Sequence, residues 1–252
     1  MYQPEAQYFL YNEFGYKTDY DKFLEYLLTF QSSLREDFFR NENQTIADVV
    51  KQEGFENARP RITQQFNFQN DRWAPPKESR YALQDAVKVN GETDYSGWTS
   101  MQIKYFSNGP DKVQDPAPMI WVKKRFPTAT KLIEEFGDDC PIMDYVMLKP
   151  NTVLSRHTGA TNIGSNRVRI HLPIIIPEGK CFLEINGKPI YWRDGPFGFN
   201  DEYVHSACNL TDEYRVIWMM DIERERVGLP YCTGADKTLN KPLDEKIDYE
   251  KL

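Results

Sequence analysis

Histidine is scarce in this sequence: only His157, His171 and His205 occur among 252 residues, and all three lie in one stretch, Arg156 to Asp221. Cysteine is nearly as sparse. Cys140, Cys181, Cys208 and Cys232 form no CxxC pair, so no disulfide framework is expected and the thiols are read as reduced. Two histidines without converging cysteines cannot complete the four ligands of a structural zinc. No apolar run reaches the roughly 18 residues that a membrane-spanning helix needs. The opening Met1-Tyr2-Gln3-Pro4-Glu5 has neither the basic nor the apolar region of a signal peptide, so the expected location is cytoplasmic. Excess positive charge is missing as well. The formal net charge is −7, which argues against nonspecific binding to nucleic acid. No internal repeat is visible.

What is present is enough to build a core: 40% of residues are hydrophobic and 14% aromatic. The expected organisation is a single domain over 1–252. A helical and loop region, 1–95, packs on a catalytic core, 96–225, followed by an extension, 226–252. Phe23, Leu27, Phe30, Leu34 and Phe38 recur at three- and four-residue steps and predict one amphipathic helix over 19–40, capped by Thr18 or Asp19. A shorter helix is expected at 45–53, with 55–97 mainly loop. Met101 to Phe106 reads as a strand, and Pro127 opens a helix that Gly137 ends. Beyond Asp144 the pattern becomes β: Tyr145–Leu148, Arg167–Ile176, Cys181–Ile185 and Pro189–Trp192 around the hairpin signal Asn186-Gly187. Val204–Cys208 and Tyr214–Ile222 form a last expected pair across Asn209–Glu213. Closely spaced strands after a helical half predict a mainly β fold with flanking helices, a jelly-roll, cupin-like sandwich.

Against the acidic background, Arg156, Arg167, Arg169, Arg193 and Arg215 lie close in sequence, which points to a local cationic pocket and a small anionic ligand. On the strand from Arg167, alternation puts Arg167, Arg169 and His171 on one face and Val168, Ile170 and Leu172 on the other. Two unpaired guanidiniums are too costly to bury, so that polar face meets either solvent or an anion. His157 and His205, from separate strands, are either unconnected or the start of a first-row metal site. The place two residues after His157, where a carboxylate ligand often sits, is Gly159, which has no side chain to offer. Arg215 could grip a carboxylate bidentately, or form a strand-edge ion pair.

Taken together, His157-Thr158-Gly159-x-Thr161-Asn162, Arg169-x-His171-Leu172, Asp201-x-x-x-His205 and Arg215 before an apolar strand ending in Asp221 resemble the aspartyl/asparaginyl β-hydroxylase family. The resemblance spans about residues 95–225. It implies a double-stranded β-helix and an oxygenase dependent on Fe(II), 2-oxoglutarate and O2. It further implies that His157 and His205 bind the iron, and that Arg215 holds the distal carboxylate of 2-oxoglutarate while Arg169 and His171 assist at its other end. Asp201 matches a carboxylate that orients a water on the metal, and Gly159 matches animal members that lack a third protein ligand. Two departures stand out. The segment between Asn162 and Arg169 is longer than in the animal enzymes. The hydroxyl residue that helps the family's arginine falls at Val146, so Tyr145 or another group must substitute.

The leading expectation is hydroxylation of an aliphatic C–H. A halogenase, with chloride in the place vacated at Gly159, is the main alternative, and Asp201 favours water there. A non-catalytic, cupin-like binding protein is a further one. The chain shows no helical-repeat region like that of the animal relatives, so a small amino-acid-like or natural-product substrate is expected, with no protein, nucleic-acid or membrane partner. Trp98, Tyr105, Arg156, Asn162 and Trp218 are candidate pocket walls.

Overall fold

The computed structural model describes residues 2–3, 6–41, 86–88, 98–104, 123, 125–159 and 166–232. The expected helix at 45–53, Tyr105 and Asn162 lie outside the described residues. Among the described residues, eleven strands fall into two antiparallel sheets. They are β1 (Tyr8–Leu10), β2 (Ala86–Lys88), β3 (Trp98–Lys104), β4 (Ile142–Leu148), β5 (Thr152–His157) and β6 (Arg167–Ile175), then β7 (Cys181–Ile185), β8 (Lys188–Tyr191), β9 (Phe197–Phe199), β10 (His205–Asn209) and β11 (Arg215–Glu223). A six-stranded sheet runs β1-β9-β6-β11-β4-β3 and a five-stranded sheet runs β2-β5-β10-β7-β8. Apart from the adjacent pairs β3–β4 and β7–β8, successive strands cross between sheets, as in a double-stranded β-helix. Among the described residues no helix is long and apolar enough to cross a membrane.

Among the described residues, period-two alternation divides most of the apolar side chains between two main cores. Val146, Leu148 and Ile217 of the larger sheet meet Leu154, Leu183 and Ala207 of the smaller one between the sheets. On the outer face of the larger sheet, Val168, Ile170, Leu172, Trp218 and Met220 pack against helices α1 (Asp19–Leu28), α2 (Gln31–Asn41) and α3 (Pro127–Phe136). The polar face of β6 therefore looks inward, with His171 buried and Arg167 and Arg169 partly buried.

The first helix differs from expectation in being two. Thr18 caps α1 in a reciprocal box with Asp21. At Thr29 the amide is shared between Glu25 and Tyr26 carbonyls, and the hydroxyl bonds back to Tyr26 O at 2.6 Å. Those tightened i to i+3 contacts end α1 and redirect the chain, so that Gln31 Nε2 reaches Pro173 O at 2.7 Å. The apolar period survives the break because both helices cover the same sheet.

The hairpin at Asn186-Gly187 forms as expected, with φ of 48° and 89° at its two turn residues. The other expected hairpin does not. β10 and β11 belong to different sheets, and Asn209–Glu213 is a corner between them. Asn209, fully buried, builds that corner: its Nδ2 donates to Leu148, Lys149 and Glu213 carbonyls at 3.2, 3.0 and 2.8 Å. Strand β9 was not anticipated, and its Gly198 shows why it fits. A Cβ there would lie 2.5 Å from the Tyr20 hydroxyl and 2.9 Å from both Ile170 and Val168 side-chain carbons. Gly198→Ala is expected to overpack this junction of β1, β9, β6 and α1, lowering stability by about 1–3 kcal/mol in chemical denaturation.

Candidate active site

His157 and His205 are direct cross-strand partners on β5 and β10. A bulge in β5 between Leu154 and His157 turns His157 to the inner side, level with His205. Their ring centroids are 4.3 Å apart. The Nδ1 of His157 lies 2.7 Å from Ser155 O, and that of His205 lies 2.8 Å from Tyr203 O. A carbonyl only accepts, so both Nδ1 atoms carry the proton and both Nε2 lone pairs are bare. Burial holds both imidazoles below their ordinary pKa, His205 the more so because His157 lies beside it. The His205 Nε2 is 3.3 Å from Asp201 Oδ1. The two bare imidazole nitrogens are acceptors that face each other with no donor between them, and a cation satisfies them. Among the described residues no three His, Cys, Asp or Glu form a complete metal cage, so the protein would supply two nitrogens and leave the other positions open.

Asp201 occupies the space that the missing side chain at Gly159 would need. A Cβ on Gly159 would sit 1.3 Å from Asp201 Oδ2, and the Gly159 amide donates to the Asp201 carbonyl at 2.7 Å. The carboxylate is held by Arg169, whose Nη1 donates to Asp201 Oδ1 at 2.6 Å. The same guanidinium makes a bidentate pair with Asp221, Nε to Oδ1 and Nη2 to Oδ2, both 2.7 Å. One step across the sheet, buried Asp144 faces the same space, with no partner for its Oδ1. Burial and the neighbouring Asp221 charge hold the Asp144 carboxyl well above the ordinary carboxylate range.

Arg215 enters the inter-sheet space opposite Leu148. It is 1% exposed, yet its Nε and Nη1 have no hydrogen-bond partner. Burial pushes it down to about 10. Its guanidinium carbon lies 4.3 Å from the centre of the Trp192 ring. Trp192 Nε1 donates to His171 Nδ1 at 3.2 Å. His171 packs edge-on to Phe199 at 5.0 Å, and Phe199 in turn to His205 at 5.1 Å, so an aromatic wall joins the imidazole pair to the arginine.

The structure thus brings together His157, His205, Gly159, Asp201, Arg169, His171 and Arg215. It redistributes the five arginines. Arg167 pairs with Glu223 at 2.8 Å and Arg193 lies over Tyr191. Arg156 is not a pocket wall: it forms a buried ion pair with Glu184 at 3.0 Å, joined by Ser206, on the opposite face of the smaller sheet from the histidines. Trp218 is not one either, because its position on β11 sends it to the outer core, edge-on to Tyr145 at 4.9 Å. Tyr145 likewise faces outward, donating to Leu34 O at 2.8 Å, so it cannot stand in for a hydroxyl beside Arg215. Trp98 does pack on the inner core, half-buried, across from Leu148. Asp144 and Trp192 were missed. Asp144 looks like ordinary strand filler in sequence and Trp192 like the end of a strand, and only the fold gives each its charged neighbours.

The sequence model of the aspartyl/asparaginyl β-hydroxylase family matches residues 60–225. The human aspartate β-hydroxylase domain-containing protein 2 is 36% identical over 97 residues, 37% of this chain and 24% of that protein. The mouse aspartyl/asparaginyl β-hydroxylase is 27% identical over 104 residues, 39% of this chain and 14% of that protein. The ornithine lipid ester-linked acyl 2-hydroxylase of Rhizobium tropici is 31% identical over 80 residues, 31% of this chain and 27% of that protein. The match covers only about a quarter or less of the length of these curated relatives.

The Asp144 carboxyl supplies a test of the electrostatics. With its pKa raised in the fold, the folded state binds the extra proton, so Asp144 costs stability as pH climbs above its ordinary value of 3.8. Asp144→Asn should match the wild type near pH 4 and become progressively more stable than it toward neutral pH, in urea denaturation at each pH.

Proposed function

Since the chain belongs to the aspartyl/asparaginyl β-hydroxylase family, we propose that it is an Fe(II)- and 2-oxoglutarate-dependent oxygenase that hydroxylates an aliphatic C–H bond. One observation carries this reading: a buried guanidinium with two unpaired nitrogens shares the inter-sheet space with two imidazoles whose bare Nε2 atoms lie beside a carboxylate. A metal and a small dicarboxylate satisfy both at once. When bound, Fe(II), 2-oxoglutarate and O2 supply the oxidising chemistry, with 2-oxoglutarate converted to succinate.

The chain's own residues bind and orient. His157 and His205 would hold the metal through their bare Nε2 atoms. Arg215 would take a carboxylate of the co-substrate in charge-assisted hydrogen bonds. His171, whose Nδ1 is already engaged, offers an Nε2–H donor from the same side. Arg169 acts differently from a simple anion grip: it fixes Asp201 against the metal ligands. Phe197 and Phe199 exclude water along the wall between the two halves of the site.

Asp201 also bears on the choice between water and halide. The volume left free at Gly159 already holds a carboxylate oxygen, and a chloride beside it would be repelled. Hydroxylation is therefore the proposed outcome. For substrate we propose a small, polar, amino-acid-like molecule, because the inner face of the larger sheet carries Asp144, Asp221 and Arg169 near the imidazoles.

Anaerobic Fe(II) plus 2-oxoglutarate should give a weak visible charge-transfer band, with succinate formed on exposure to O2. His157→Ala should abolish both, and Arg215→Met should weaken 2-oxoglutarate binding by about 10²-fold. Without ligand, Arg215→Met should be at least as stable as the wild type, since the arginine's Nε and Nη1 are unpaired. Absence of the band and of succinate would overturn the cofactor assignment. Gly159→Asp, which restores a third carboxylate on paper, should lower succinate formation, because its Cβ collides with Asp201.

A further inference from the structure

Trp192 closes β8 and opens the short 3-10 turn Trp192–Asp194. The turn is held by the Gly195 amide donating to Trp192 O at 3.3 Å, with φ of 124° at Gly195. The indole is 1% exposed and touches both polar groups at the arginine end of the site. An indole nitrogen only donates, so the 3.2 Å contact to His171 Nδ1 defines that atom as the acceptor. The single proton of the neutral imidazole must then sit on Nε2. His157 and His205 carry theirs on Nδ1, against backbone carbonyls. Three histidines in one inter-sheet space thus have two opposite tautomers, each set by the group behind the ring. The bare Nε2 of the pair suits a cation, and the Nε2–H of His171 suits an anion.

The ring face does a second job. Arg215 is buried, with two N–H groups unpaired, and its guanidinium carbon lies 4.3 Å from the centre of the Trp192 ring. The π-face stabilises the cation without using any of its N–H donors. Those donors stay free for a ligand, where a carboxylate partner would have consumed them as Asp201 and Asp221 do for Arg169.

We propose that Trp192 is the positioning residue of the co-substrate site: its N–H locks His171 as an Nε2–H donor, and its ring holds the Arg215 guanidinium ready for a carboxylate. The proposal rests on the reading of Arg215 and His171 as the dicarboxylate grip. It assigns to one side chain the preorganisation of both donors.

Two measurements test it. In metal-free protein carrying 15N-labelled histidine, NMR should show His171, identified by its loss in His171→Asn, as the Nε2–H tautomer, with His157 and His205 as Nδ1–H. Trp192→Phe keeps a ring beneath Arg215 and removes the N–H. It should release His171 from the pure Nε2–H form and weaken 2-oxoglutarate binding, read by calorimetry, by roughly 5–10-fold. Trp192→Leu should weaken it by a further factor of about 5. A folded Trp192→Phe with His171 still wholly Nε2–H and unchanged affinity overturns the proposal. So does a wild-type spectrum in which His171 carries its proton on Nδ1, whether or not the variants fold. Arg215→Met separates the two levels: if it leaves 2-oxoglutarate affinity unchanged, the reading of the site fails. If it weakens binding while Trp192→Phe does not, only the role of Trp192 fails.

Discussion

The site depends on one guanidinium that is fully committed. Arg169 spans Asp221 on the neighbouring strand and Asp201 on the loop before β10. A buried cation is tolerable only when paired, and here each carboxylate answers part of its charge. The Asp221 pair is bidentate and anchors the guanidinium to the larger sheet. The Asp201 contact then fastens the smaller sheet's ligand loop across the gap. Together with the Gly159 amide, which holds the Asp201 carbonyl at 2.7 Å, that bridge keeps a carboxylate beside His205 and in the space above Gly159.

From that bridge follows a division of the inter-sheet space by charge. Around His157 and His205 the free ring nitrogens are acceptors, while Asp201 and Asp221 are already paired with Arg169. At Arg215 and His171 the free groups are donors, and an anion fits. The two ends are kept distinct by the edge-on stack of His171, Phe199 and His205. Low polarity along this wall strengthens each electrostatic preference. The same side chain, histidine, presents a bare Nε2 in one case and an Nε2–H in the other, and the selection is made behind the ring: by a backbone carbonyl or by an indole N–H. Polar groups facing a ligand are therefore only as well defined as the partners on their far side.

Reading this chain from its residues worked where a local rule governs the outcome. Alternation on β6 separated Arg169 and His171 from Ile170 and Leu172, and the structure has that division. The Asn186-Gly187 turn made its hairpin because its two positive φ angles admit few other residues. The motifs around His157, Asp201, His205 and Arg215 pointed to the family to which the chain belongs. Local rules failed where the chain changes sheets. A strand, a short polar loop and another strand look the same whether the loop makes a hairpin or a corner, and only the buried Asn209 amide distinguishes the two. That misreading placed Arg215 beside His205 on one sheet rather than across the sandwich from it. Trp218 and Arg156, candidate pocket walls from the sequence, face away from the inter-sheet space for a related reason. Their environment is set by which neighbour covers each sheet, and no spacing along the strand records it.

By itself, then, the sequence determined the class of fold, the inward polar strand and the identity of the groups that converge, because alternation and motif spacing are properties of a single segment. Tertiary structure alone decided that Asp201 fills the place of the side chain absent at Gly159. It also decided that Arg169 is spent on two carboxylates while Arg215 keeps free donors, and that Trp192 stands behind both His171 and Arg215. Each of these is a contact between segments far apart in the chain. Its energy comes from burial and pairing, which exist only once the two sheets have closed on each other.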